Sequence, residues 1–323
     1  MSVTIHELLI AAGTKFRKDL LTMPVAELAP ILKYMSLKTG MQGKEVGGIL
    51  TTDAQLRPYR TDKGASDNTA INPFEWETFL GDVVKEFDPN AILGTLYTEA
   101  TSKKPDQREI ARLVAMEMAR KVGEALRQNM FTAVRDGAGD TTADLFNGFS
   151  TLLTAAKTAN KLTAALNNYQ DLTGEAMTSA NCGDILKESY RAMNPLLKGR
   201  PVNLYLPDSV LDMYEDWYQI EHGHAPWNDG FDQSKKTLIG SRGKCSFVPL
   251  DNMEGQPYAI FTVKENMKVG VDQESDKETV EIRRPDNPKL VQFFMMAYFG
   301  VGFETLDKRF MNVIEINTGE EAS

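Results

Sequence analysis

The segment QREIARLVAMEMARKVGEALRQNMFTAVRD, residues 107–136, sets Ile110, Val114, Met118, Val122, Leu126, Met130 and Val134 at unbroken four-residue steps. An α-helix turns about 100° per residue, so such a repeat drifts by about 40° per step and winds its apolar stripe around a rod about 45 Å long. Such a rod meets different neighbours along its length. Pro105 and Asp106 suit its first turn and Gly137 its stop, giving a helix over 105–136. Apolar periodicity alone describes a long core helix and names no function.

On the N-terminal side, residues 1 to about 40 read as helical and amphipathic through Leu8, Leu9, Ala12, Ala26, Leu28, Ile31, Leu32 and Met35, broken by Pro24 and Pro30. They suit either an arm that docks elsewhere or a pair of packed surface helices. From Gly40 to Asn72 that pattern stops: Gly43, Gly47, Gly48 and Gly64 punctuate a polar, extended stretch with too few apolar residues for its own core. A long coreless loop is either disordered or a binding element. Phe74 to Phe87 fits a helix face through Trp76, Leu80, Val83, Val84 and Phe87, or a strand, and Ala91 to Tyr97 reads as a strand.

On the C-terminal side, Asp136-Gly137-Ala138-Gly139-Asp140 is a turn cluster that marks a domain boundary. Leu186, Tyr190 and Met193 mark a helix stopped by Pro195, Val202 to Leu206 a strand, and Pro207-Asp208-Ser209 the start of a helix through Ile220, with Asp208 or Ser209 available as cap. Tyr258 to Val263, Met267 to Val271, Thr279 to Arg283, Lys289 to Phe299 and Met311 to Ile316 read as strands. The strand around Leu290 is apolar on both faces, so its sheet is expected to be covered on both, by a helix or by another chain.

The 323 residues allow two or three compact units, and 42% apolar with 25% charged residues is the composition of a folded chain. Residues 1–137 hold 18 basic and 18 acidic groups, so the net charge of -9 falls on the remainder. Basic residues occur as scattered pairs (Lys103 with Lys104, Lys235 with Lys236, Arg283 with Arg284), which disfavours sequence-reading or tight nucleic-acid binding but not weak proximity to a polyanion. Cys182 and Cys245 lack zinc-type spacing and read as buried free thiols in a reducing compartment. The first residues lack a secretory pattern, and a cytosolic product is expected. The most apolar run, Leu290 to Phe303, has 14 residues, short of the roughly 20 that cross a membrane.

No Walker loop, dinucleotide glycine pattern or nucleophile elbow is present, and no catalytic, cofactor-binding or metal-binding residue is assigned. Glu221-His222-Gly223-His224 with Asp229 is the one metal-like cluster, since alternate histidines on a strand point the same way; its context reads as a solvated loop. Trp76, Trp217 and Trp227 read as packing anchors, and the 15 methionines as dispersed core.

Taken in order, an arm, a long coreless loop, a strand, one very long helix, an Asp-Gly turn, an α/β unit and a β-rich return resemble the major capsid proteins of tailed bacteriophages, with their α+β, Hong Kong 97-type fold. Asp136 to Asp140 followed by Asn147-Gly148-Phe149-Ser150-Thr151 looks like that family's turn after its spine helix, Val202 to Asp208 like its axial strand and helix start, and Val280 to Arg284 like its closing strands. The resemblance implies an N-terminal arm (1–42), an extended-loop region (43–90), a peripheral domain (91–140) containing the spine, an axial domain (141–272) and a return to the peripheral domain (273–323). It further implies a non-enzymatic subunit, with no cofactor, that forms hexamers and pentamers of an icosahedral shell around double-stranded DNA. Portal and accessory proteins are implied partners, and with only about 40 residues ahead of the loop a separate scaffolding protein is expected. Lys63 stands where some members form a cross-link, with no partner assignable. An encapsulin-like shell around a cargo enzyme is the alternative, and a metal-dependent enzyme using His222 and His224 the remote one. If the helix is the spine, Ile110 to Val122 and Leu126 to Val134 should contact different elements, one of them the peripheral sheet.

Overall fold

The structure, a computed structural model, describes residues 17–51, 70–88, 107–223, 237–272, 279–283, 287 and 290–318. The strand expected at Ala91 to Tyr97, and Lys63, His224, Trp227 and Asp229, lie outside these residues. In chain order the main elements are α1 (Arg17–Leu32), β1 (Ser36–Lys38), β2 (Lys44–Thr51), β3 (Ala70–Glu77), β4 (Phe79–Phe87), α2 (Gln107–Asn129), α3 (Phe149–Thr158), β5 (Tyr169–Ala176), α4 (Cys182–Ala192), α5 (Pro195–Lys198), β6 (Val202–Pro207), α6 (Asp208–His222), β7 (Cys245–Leu250), β8 (Tyr258–Thr262), β9 (Met267–Val271), β10 (Thr279–Arg283), β11 (Val291–Phe303) and β12 (Met311–Asn317). Phe74 to Phe87 is therefore extended.

The strands form two five-stranded sheets and one two-stranded ribbon. In the first sheet β11 is the hub: its first part pairs antiparallel with β4 on one side and β10 on the other, and Phe299–Phe303 pairs with β9, which pairs with β1. The second sheet runs β5-β12-β8-β6-β7, and β2 with β3 makes the ribbon. Sheet membership crosses the boundary drawn from the sequence between 272 and 273: Met267–Val271 lies in the first sheet, and Met311–Asn317 in the second.

Alternation on β11 explains how the long helix is seated. Val291, Phe293 and Met295 are buried on one face beside Val280 and Ile282 of β10, and this face meets Ala115 and Ala119 of α2. The C-terminal part of the helix enters a second core: Leu126 and Met130 join α1, α3, β8, β9 and the later part of β11. The expected change of neighbours along the rod is present in the described part, which excludes the Ile110 side chain. The deepest line, however, is Ala115, Ala119 and Gly123, one position beyond the bulkier Val114, Met118 and Val122, which stay half-buried. Small residues let the backbone approach, and larger neighbours then pack around the contact.

Gly123 shows how close that approach is. A Cβ there would lie 2.6 Å from the carbonyl oxygen of Pro24 and 2.7 Å from its Cα. Pro24 and Pro30 thus sit inside α1 and do not break it. Burying Leu28 and Ile31 against α2 contributes about 1.5–3 kcal/mol each, which offsets much of the roughly 3 kcal/mol cost of an interior proline. Gly123→Val is expected to destabilise the protein by about 2–3 kcal/mol, since the backbone of α1 must move. Thermal denaturation checks this, and an unchanged midpoint would contradict the contact.

The long helix ends at Asn129, seven residues short of the expected 136. The carbonyls of Met130, Phe131 and Ala133 turn instead to the start of α3, accepting the N–H groups of Phe149 (3.1 Å), Ser150 (3.1 Å) and Gly148 (2.8 Å). The first-turn donors of one helix are satisfied by the chain leaving the other. Gly148 is required here: its Cβ would lie 2.4 Å from the Phe131 carbonyl oxygen. Residues 130–136 are thereby joined to 143–150, with Val134 N–H on Ala143 O and Asp136 N–H on Asp144 O, both 2.9 Å.

The remaining core, around the second sheet, holds Leu186, Tyr190, Val210, Tyr214 and Trp217. Trp217 sits so close to α4 that a Cβ on Gly183 would lie 2.0 Å from its ring. α6 begins where expected, but neither Asp208 nor Ser209 caps it: the Glu254 carboxylate accepts the Ser209 N–H and hydroxyl, each at 2.8 Å. Cys182 and Cys245 are buried free thiols, as expected, and burial pushes the Cys182 thiol up to about 12.

Candidate functional site: the ribbon root and the open sheet face

The second face of the first sheet is built from the even-numbered residues of β11. Gln292, Phe294, Met296 and Tyr298 stand opposite Glu86, Val84, Asp82 and Leu80 of β4, all half-buried or exposed. Leu80 remains 43% and Val84 46% exposed. Gln292 Nε2 donates to Glu86 Oε1 at 3.2 Å, so the far end of this face is polar and its middle apolar. One face of β11 is covered by the subunit's own helix; apolar side chains on the other are left open to water.

Farther along the same face lie three glycines. Gly270 of β9 pairs with Gly300 of β11, and Gly302 follows two residues on. A Cβ at Gly302 would lie 2.4 Å from Trp76 Cβ, one at Gly270 2.7 Å from the Trp76 ring, and one at Gly300 2.3 Å from the Glu77 carbonyl oxygen. The glycines form a slot through which the chain passes from β3 to β4. Trp76 is 3% exposed in it, a packing anchor as the sequence implied. Glycine inside a strand marks such a close approach.

Thr78 closes the root of the ribbon. Its hydroxyl accepts the Gly43 N–H at 3.0 Å and donates to the Met41 carbonyl at 3.1 Å, and its own N–H donates to the Gly43 carbonyl at 3.0 Å. Beyond the root the ribbon pairs Lys44 with Glu77 through to Thr51 with Ala70. Val46 on it is 62% exposed. Charged pairs line its base: Lys38 with Glu45, Lys44 with Glu77 at 4.0 Å, and Lys268 with Glu304 at 3.4 Å.

The outer side of α2 is a balanced charged surface. Arg120 bonds Glu117 and Lys121 bonds Glu124, and these bonds hold both carboxyls below the usual carboxylate range. On α6, His222 lies in the last helical turn, not in a loop or strand; its ring stacks on Tyr218 at 4.2 Å and Gly223 ends the helix at φ 70. His224 and Asp229, the other members of the metal-like cluster, lie outside the described residues. Among the described residues no three His, Cys, Asp or Glu side chains gather as a metal site, and no helix is long and apolar enough to cross a membrane.

Solved structures share this fold. A chain of the satellite phage P4 procapsid, a structure that includes the size determination (Sid) protein, matches at 11% identity over 94% of this chain and 99% of its own, with a TM-score of 0.53. The cyanophage A-1(L) capsid asymmetric unit matches at 15% identity over 92% and 93%, with a TM-score of 0.56. The holo-SrpI encapsulin complex from Synechococcus elongatus PCC 7942 matches at 11% over 91% and 89%, with a TM-score of 0.51. No protein-family model and no curated protein matches the sequence. The chain has the α+β fold of tailed-phage major capsid proteins, and at these identities the likeness is one of fold.

Proposed function

We propose that the chain is a non-enzymatic structural subunit that self-assembles into the hexamers and pentamers of an icosahedral viral capsid enclosing double-stranded DNA. The observation that carries this reading is a ribbon projecting from its root beside a sheet face whose Leu80 and Val84 stay exposed, on a fold shared with capsid chains over nearly the whole length. Apolar surface left open by one subunit is covered when neighbours pack in a shell. A separate scaffolding protein, a portal and accessory proteins are its expected partners, with nonspecific proximity to packaged DNA and no membrane. It would assemble in the cytoplasm of a bacterial host and end in the virion capsid.

The peripheral unit in this reading comprises α2 and the first sheet, and so takes in Met267–Val271. The axial unit comprises α3, α4, α6 and the second sheet, and so takes in Met311–Asn317. The first sheet also draws in Ser36–Lys38 from the arm (1–42) and Phe79–Phe87 from the extended-loop region (43–90), whose Lys63 remains a cross-linking candidate. The encapsulin match favours a second reading, a compartment around a cargo enzyme. Neighbouring genes separate the two: terminase and portal genes accompany a capsid, a cargo enzyme gene a compartment. Electron microscopy of the purified chain, alone and with its scaffold, tests both.

A further inference from the structure

We infer that Trp76 is a latch: seated in the slot of Gly270, Gly300 and Gly302, it fixes the direction in which the Lys44–Thr51/Ala70–Glu77 ribbon leaves the body, and its release lets the ribbon swing. An isolated two-stranded ribbon is marginally stable in water, so its direction is set where it is anchored. The anchors fall into two groups with different consequences. Thr78, bonded to Met41 and Gly43, ties the two sides of the root to each other, and Met41 N–H on the Val271 carbonyl (3.3 Å) with Gln42 Nε2 on Asp272 (2.6 Å) holds that root to the body, so the ribbon can swing only beyond it. Trp76 against the glycines, Phe74 edge-on to Phe303 at 6.1 Å, and Gly47, whose Cβ would lie 2.8 Å from the Glu304 carbonyl oxygen, tie the ribbon to the body and set its angle, with Trp76 the largest of them.

The chain enters the ribbon through two left-handed glycines. Gly40 at φ 72 and Gly43 at φ 85 hold left-handed conformations on either side of Met41 and Gln42, and a Cβ at either would meet nothing within 4 Å. These glycines are required by backbone conformation alone, whereas Gly270, Gly300 and Gly302 are required by contact. Two uncrowded left-handed glycines thus flank the buried Met41, and Gly43, the one nearer the ribbon, stands beside one large side chain in a fitted slot. The three slot glycines belong to the hub strand β11 and its neighbour β9, so the latch reads the geometry of the whole first sheet. A small shift between β9 and β11 narrows the slot and expels the ring.

Hydrogen–deuterium exchange of the full-length purified subunit tests this, independently of whether it builds a shell. Trp76→Ala is expected to speed exchange of ribbon amides at 44–51 and 70–77 about tenfold or more, while amides of α2 and of the second sheet keep their wild-type rates. Gly302→Val, which fills the slot and displaces the unaltered Trp76 side chain, is expected to do the same, and Trp76→Phe to fall between. Unchanged ribbon exchange in Trp76→Ala would overturn the latch, as would a uniform rise across all elements, which would make Trp76 ordinary core. In assembly trials, which rest on the shell reading, Trp76→Ala is expected to give particles of mixed diameter where the wild type gives one. Uniform particles from both would overturn the latch, while the absence of particles from the wild type would count against the shell reading alone.

Discussion

Phe149→Ala is expected to remove about 3–5 kcal/mol of stability, a large part of the 5–15 kcal/mol typical of a folded domain. The ring is fully buried, 5.1 Å from the rings of both Phe131 and Phe303, so one side chain bridges the end of the long helix, the start of α3 and the end of β11. Truncation leaves a cavity that backbone contacts keep from closing: Phe149 N–H stays on Met130 O, and Gly148 stays against the Phe131 carbonyl. The cavity penalty therefore adds to the lost burial. Urea unfolding should show the midpoint lowered by about 1 M or more at unchanged slope. Leu196→Ala, at a position 62% exposed, should change stability by less than about 0.5 kcal/mol. A Phe149→Ala midpoint equal to wild type would place the ring outside the core.

The pair Leu80→Glu with Val84→Glu should have the opposite profile, sparing the subunit and abolishing assembly. Both side chains are more than two-fifths exposed, so the subunit's melting temperature should barely move. In a shell the same face is covered, and each lost apolar side chain forfeits about 1.5–3 kcal/mol of burial. Two carboxylates beside Asp82 and Glu86 would in addition be desolvated without partners, which costs more than the lost burial. Sedimentation of assembly reactions should show subunits and no particles. Particles at wild-type yield would mean that this face stays open to water in the shell.

Element type was legible wherever one periodicity ran unopposed. The strands at 258–263, 267–271, 279–283 and 311–316 were read to within a residue or so, because alternation and turn residues bounded each one. The end of the long helix was not legible, because Thr132, Ala133 and Val134 continue the helical period while the chain there is recruited by α3. Pro24 and Pro30 mislead in the same way: their local cost is offset by packing of their helix on α2, where Pro24 meets Gly123 far off in sequence. Membership of the two sheets was illegible for a related reason, since which strand β9 or β12 joins is a property of pairing and not of composition.

The open sheet face was partly legible. A strand apolar on both faces required cover on both, and the structure supplies α2 for one face of β11 and leaves Leu80 and Val84 exposed on the other. The glycine slot was missed, although Gly300 and Gly302, two apart in a strand, carried the signal: same-face glycines mean that something lies against them. His222 was misplaced because Gly223 was read as loop, where it is the left-handed stop of a helix.

Electron microscopy of the purified chain, expressed alone and together with its scaffold, tests the central claim most directly. Closed icosahedral shells of uniform diameter, resolved into hexamers and pentamers, are the expected result. A monodisperse monomer under every condition would contradict it.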